Sequence, residues 1–118
     1  MFLVNGRSIR ISAGDTGVIR FEIEGPALCD KDRGVFTVKN QKGDVMIKKI
    51  IAPEKPDEIC VPFVNSDTEK MAPGTYEWDI RVVFGAKMGA GGDVVDGENV
   101  VTPYAPGQFS VMKVVGSV

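Results

Sequence analysis

The sequence predicts an all-β domain, an antiparallel sandwich of about seven to eight short strands. The longest alternating stretch, Thr75 to Phe84, places Tyr76, Trp78, Ile80, Val82 and Phe84 on one face and Thr75, Glu77, Asp79 and Arg81 on the other. Turn residues rich in Gly and Pro recur at intervals of about ten residues. No segment has helical periodicity beyond a turn or so. The face of Tyr76 and Trp78 carries the only Trp of the chain, so a core is expected to form on it.

Before that strand the pattern is one of short, punctuated segments. Phe2 to Val4 followed by Asn5-Gly6 reads as a strand or arm ending in a turn. Ile9 and Ile11 alternate with Ser8 and Arg10, and Ala13 to Gly17 is a turn cluster. Ile19, Phe21 and Ile23 alternate with Arg20, Glu22 and Glu24, the pattern of a strand dry on one face and wet on the other. Gly25-Pro26 ends it, and Ala27-Leu28-Cys29 is placed as a brief return to a sheet. After the charged turn Asp30 to Gly34, the strand Val35 to Lys39 points Phe36 and Val38 inward.

Asn40 to Asp44 makes a hairpin connection to Val45–Ile51, whose inward phase is open. Either Val45, Ile47 and Ile51 or Met46 and Ile50 form the buried set. Ala52 to Asp57 is a loop. In Glu58–Phe63 the apolar set is Ile59, Val61 and Phe63, and Pro62 assigns the strand to an edge or its end. Val64 to Lys70 leads into the central strand. Beyond Phe84, Gly85, Gly89, Gly91, Gly92 and Gly97 mark a long mobile hairpin loop from Gly85 to Gly97. Val100 to Thr102 resumes a strand, Pro103 to Gly107 is a kink or bulge, and Gln108 to Val115 closes the domain with Phe109 and Val111 inward.

Composition bounds the function. The 118 residues are read as a single domain over 1–118, with hydrophobic residues at 43 % and charged residues at 25 %. A formal net charge of −2 lacks the basic face a nucleic-acid partner requires. No apolar run reaches the roughly 20 residues of a membrane span, and Asn5-Gly6-Arg7 interrupts the apolar start too early for a signal peptide. Synthesis in the cytoplasm is expected. Cys29 and Cys60 are expected as reduced thiols, because Cys60 faces away from the Ile59, Val61 and Phe63 side. With no histidine, the commonest general base and metal ligand is missing.

Each chemistry-bearing candidate has a plainer structural reading beside it. Gly85 to Gly92 follows a strand but lacks the Gly-Lys-Ser/Thr and helix of a phosphate cradle. Asp93, Asp96 and Glu98 offer oxygen ligands for calcium, yet their spacing fixes no geometry and solvated loop charge is preferred. Asp30 and Asp32 read as turn formers. Glu77 and Asp79 share a strand face that reads as polar surface and not as an acid–base pair. Lys39, Lys48 and Lys49 read as edge lysines that discourage aggregation. Val35 and Val83, if outward, would mark a partner-binding patch. No catalytic, cofactor-binding or metal residue is assigned, and no enzyme is expected.

Met71-Ala72-Pro73-Gly74-Thr75-Tyr76 resembles the tyrosine corner of immunoglobulin-like and fibronectin-like domains, where a Tyr hydroxyl ties the incoming loop to the strand. The antibody arrangement itself does not fit, since Trp78 shares the strand of Tyr76 and no cysteine lies on it. Gly14-Asp15-Thr16-Gly17, Asp32 before Val35 to Lys39, the run Gly74-Thr75-Tyr76-Glu77-Trp78-Asp79-Ile80-Arg81, and Gly107 to Val111 follow in order. Together they resemble the immunoglobulin-like module of baseplate and tail proteins of phages and prophages of Gram-positive bacteria, in particular the N-terminal domain of the upper baseplate protein. The resemblance spans roughly Ile9 to Val115. It departs from that family in the length of the Gly85 to Gly97 loop, and no coiled coil or host-binding domain is expected after Val118. It implies a virion component that assembles with other virion proteins or with itself, without chemistry and without cofactors. The alternative is a carbohydrate- or cell-surface-binding sandwich, for which Tyr104 is the plausible exposed platform.

Overall fold

The computed structural model describes residues 1–116. Residues 117 and 118 of the expected domain lie outside the described residues. Eleven strands and one short helix follow in order: β1 (Phe2–Asn5), β2 (Ser8–Ser12), β3 (Gly17–Glu22), β4 (Arg33–Lys39), β5 (Val45–Ile51), β6 (Glu58–Phe63), α1 (Asn65–Thr68), β7 (Gly74–Phe84), β8 (Lys87–Met88), β9 (Val94–Asp96), β10 (Asn99–Val101) and β11 (Gly107–Met112). The chain is an all-β sandwich. One sheet runs β1-β2-β11-β7-β4-β5 with β10 also on β7, and β3 and β6 form a separate pair whose apolar side chains share its core.

β7 is the spine of the large sheet. Along one edge it pairs with β4 from Glu77 to Val83. Along the other it pairs with β11 from Gly74 to Trp78 and with β10 from Val82 to Phe84. The closing strand is therefore broken in two by the Pro103–Gly107 kink that the sequence marks, and it ends at Met112, short of the expected Val115. Tyr76, Trp78, Ile80 and Val82 are buried on one face, as the alternation requires. Against them pack Phe36 and Val38 of β4, Phe109 and Val111 of β11, and Ile59, Val61 and Phe63 of β6. Stacked rings knit the core, with Phe36 over Trp78 within the large sheet and Phe63 over Phe109 between the two layers, each at 5.8 Å between centroids.

Two expectations need correction. The large sheet is mixed: β2 and β11 run parallel, with Ile9 opposite Phe109 and Ile11 opposite Val111. Alternation of side chains is the same for either strand direction, so the pattern carries no sign of it. The chain from Ala13 to Pro106 supplies the crossover that a parallel pair needs. Ala27 to Cys29 does not rejoin a sheet. Leu28 is buried, but its N–H donates to the Pro56 carbonyl at 2.8 Å from within a loop.

β5 settles the ambiguous phase. Ile47 is buried and Ile51 packs against the core, because Val38 lies opposite Ile47 and Gly34 opposite Ile51. A bulge between Val38 and Lys39 sets Val45 opposite Lys39 and breaks the alternation. Val45 (53 % exposed) and Met46 (40 %) both face solvent as a result.

The corner into β7 has the geometry read from its sequence. The Tyr76 hydroxyl donates to the Ala72 carbonyl at 2.6 Å, across the turn that launches the strand. The preceding turn of helix α1 is fixed from both sides. The Val64 N–H donates to Asp67 Oδ2 at 2.8 Å, an acidic cap at the helix start. Buried Thr68 accepts the Gly14 N–H at 2.9 Å, and Asn65 Nδ2 donates to the Gly14 carbonyl at 2.8 Å. α1 thus holds the β2–β3 turn in place.

Candidate functional site

The surface available for function is the outer face of the large sheet together with its unpaired edges. Outward on β7 stand Thr75, Glu77, Asp79, Arg81 and Val83, all but Val83 solvent-accessible to some degree. In register, Glu77 lies across from Lys39 and Asp79 across from Thr37. Two open grooves meet here, one of about 400 Å³ between Arg7, Glu77 and Gln108, the other of about 210 Å³ between Lys39, Glu77 and Asp79. The two carboxylates stay on one strand, two residues apart, with an ammonium as cross-strand neighbour. An opposite-charge pair on an exposed sheet face is what that arrangement makes.

The Gly85 to Gly97 segment is a hairpin, as expected, but it is built from two short paired strands. β8 and β9 pair through Lys87–Asp96 and Met88–Val94, and the Gly89 N–H donates to the Asp93 carbonyl at 2.7 Å. The hairpin folds back over the outer face. Val83, which alternation points outward, is only 6 % exposed. The reason is close contact: a Cβ on Gly97 would lie 2.3 Å from Val83 Cγ1. Val94 and Val95 of β9 border an apolar groove of about 240 Å³ with Val35, Val83 and Val100. Val35 and Val83 are thus outward-facing, and the chain covers part of that patch itself.

The loop carboxylates are used separately. Asp93 pairs with Lys48 at 3.0 Å. Asp96 accepts the Gly97 N–H at 2.8 Å. The Glu98 side chain lies against Gly85. Among the described residues no group of three His, Cys, Asp or Glu side chains converges as a metal site would.

The lysines are also divided. Lys48 goes to Asp93, while Lys49 pairs with Asp67 at 2.7 Å with its Nζ 5.6 Å from the centroid of the Phe63 ring. Lys49 and Asp67 are each mostly shielded from solvent, so this clasp ties β5 of the large sheet to α1 and β6. Nothing in the spacing of Lys49 and Asp67 announces it.

Asp32 is the residue that sequence reasoning most underrated. It is 4 % exposed, and its carboxylate accepts the Cys29 N–H at 2.8 Å and the Gly85 N–H at 3.0 Å. Burial works to raise its pKa, but those two N–H donors and the neighbouring Arg33 outweigh burial and hold it below the ordinary carboxylate value. The Ala86 N–H donates to the Lys31 carbonyl at 2.9 Å beside it. The Asp30 to Gly34 turn is therefore fastened to the base of the β8–β9 hairpin. Either Asp of a Gly-ended turn looks the same in sequence whether its side chain is solvated or buried, and only the distant Gly85 marks Asp32 as the buried one.

Tyr104 is not an exposed platform. Its ring lies 5.7 Å from that of Phe21, and its hydroxyl donates to the Glu22 carbonyl, closing the sandwich between the kink and β3. Burial, followed by the charges of Glu22 and Glu24, raises its pKa. Cys29 and Cys60 are free thiols. Cys60 donates to Glu58 Oε1 at 3.0 Å, and that bond, then burial, pushes the thiol up, opposite to what a reactive thiolate needs.

Among the described residues no helix is long and apolar enough to cross a membrane. Comparison with protein-family models, with curated proteins and with solved structures found no match.

Proposed function

We propose that this chain is a non-enzymatic structural and interaction module, an immunoglobulin-like sandwich serving as a tail or baseplate component of a phage or prophage particle. The fold part of this reading is supported by strand order. The run β11-β7-β4-β5 corresponds to strands G, F, C and C′ of a variable-type immunoglobulin sheet, with β3 and β6 corresponding to B and E. Tyr76 occupies the corner between the strands corresponding to E and F. The virion part rests on the resemblance of Gly74 to Arg81 and its flanking motifs to the phage module.

The observation that carries the interaction part is the free edge of β5. Among the described residues this strand pairs only with β4, so its other side presents unpaired backbone groups. Edge lysines ordinarily obstruct the addition of another strand. Here Lys48 and Lys49 are each drawn aside by a carboxylate of the same chain, Asp93 and Asp67. Exposed Val45 and Met46 stand at the start of that edge. An extended segment of a neighbouring virion protein can add there, with backbone bonds giving affinity and the exposed apolar pair giving contact.

The glycan-binding alternative is weakened by Tyr104, whose ring is partly buried against Phe21 and whose hydroxyl is bonded to the Glu22 carbonyl.

Co-sedimentation tests the proposal. Tagged protein incubated with particles from an induced prophage lysate is expected to travel with the particles, and Met46→Lys is expected to reduce the bound fraction at least severalfold. Protein that stays wholly at the top of the gradient would refute the reading.

A further inference from the structure

We propose that the β8–β9 hairpin is a latched flap. It opens over the sheet without unfolding of the domain, and the Lys48–Asp93 ion pair is its latch. This stands whether or not the chain belongs to a virion.

The flap is weakly built as an element. A hairpin with strands of two and three residues cannot hold itself together in water. Its pairing is further interrupted by a shift between Lys87 and Met88. What keeps it against the sheet is of two kinds. Its base is fixed by three hydrogen bonds: the Gly85 N–H to the buried Asp32 carboxylate, the Ala86 N–H to the Lys31 carbonyl, and the Glu98 N–H to the Phe84 carbonyl at 2.9 Å. Among the described residues its far end is held by one ion pair to β5, the exposed Lys48 to Asp93, while Gly97 lies against Val83 nearer the base. An ion pair between side chains as exposed as these contributes little and is screened by salt. The structure is thus anchored at a hinge and lightly fastened at its tip.

Opening has a consequence on the sheet. Val83 is buried on an outward phase because Gly97 and its neighbours cover it. The groove bounded by Val35, Val83, Val94 and Val95 already separates part of the flap from the sheet. Swinging the flap about Gly85 and Glu98 joins Val83 to Val35 as one exposed aliphatic strip. The apolar area of that face grows when the flap opens, because Val83 joins the already exposed Val95 and Val100, while the interior between the two sheets stays packed.

Thiol labelling reads the opening directly. In a Cys29→Ser, Cys60→Ser background, Val83→Cys places a thiol beneath the flap. Its labelling is expected to be faster than global unfolding of the same variant allows. Asp93→Asn is expected to speed it by about two- to five-fold, as is high salt. The exchanged pair Lys48→Asp with Asp93→Lys is expected to bring it back. Val35→Cys in the same background, at the other side of the groove beneath the flap, gives the same comparison without touching Val83. Labelling limited to the global unfolding rate, or indifferent to Asp93→Asn, overturns the proposal.

Discussion

The indole N–H of Trp78 donates to the carbonyl oxygen of Arg7 at 2.8 Å, joining the central strand to the β1–β2 turn at the far side of the sheet. The bond passes through a space that only glycine leaves open. A Cβ on Gly107, opposite Trp78 in β11, would lie 2.0 Å from that oxygen and 2.7 Å from the indole nitrogen. Trp78→Phe therefore strands a carbonyl and opens a void, and is expected to cost about 2–3 kcal/mol. Gly107→Ala forces the backbones apart and is expected to cost about 3 kcal/mol, with a red-shifted Trp fluorescence. Urea unfolding of both variants checks the pair, with the slope unchanged if only stability moves.

Removing the hydroxyl of Tyr76 isolates the corner. Tyr76→Phe keeps the buried ring and deletes the 2.6 Å bond to Ala72. A loss of about 1–2 kcal/mol is expected in the same unfolding assay.

How much of this was legible in the sequence divides along a physical line. The inward sets of β3, β4, β6, β7 and β11 could be read because each is a period-two pattern bounded by Gly or Pro. The tyrosine corner could be read because its parts are neighbours in the chain. Partners far apart in sequence could not. Thr68 with Gly14, Lys49 with Asp67 and Asp32 with Gly85 are joined only by the fold. The same holds for the parallel β2–β11 pair and for Val83, whose cover comes from the hairpin folding back. The Val45 phase was misleading for a different reason, since a bulge shifts alternation without leaving a mark in composition.

Asp32 carries a pH signature. Its pKa in the folded chain lies below the ordinary value of 3.8. Depression means the carboxylate form is favoured by folding, so its contribution is complete above the unfolded-state pKa. That contribution is lost as pH falls from about that value through the lower folded-state pKa. The stability difference between wild type and Asp32→Asn, measured by urea unfolding from pH 6 down to pH 3, should shrink as the pH falls. Asp32→Ala leaves the Cys29 and Gly85 N–H groups unpaired and is expected to cost about 2–4 kcal/mol at neutral pH.

Lys49 ties the two layers. Lys49→Ala removes the ion pair with Asp67 and the cation's approach to the Phe63 ring. Because both partners are largely shielded, the expected loss is about 1–2 kcal/mol, larger than an exposed pair gives. Lys48→Ala, whose pair with Asp93 is exposed, is expected to fall within about 0.5 kcal/mol of wild type. Thermal unfolding of the two variants side by side makes the comparison.

The assembly claim turns on the edge of β5, and hydrogen exchange on the particle-bound protein tests it most directly. The account predicts that amides within Val45–Ile51 gain protection on binding, while those of β3 keep the exchange rates of the free protein. Binding that leaves β5 unchanged, with protection gained elsewhere or nowhere, would contradict it.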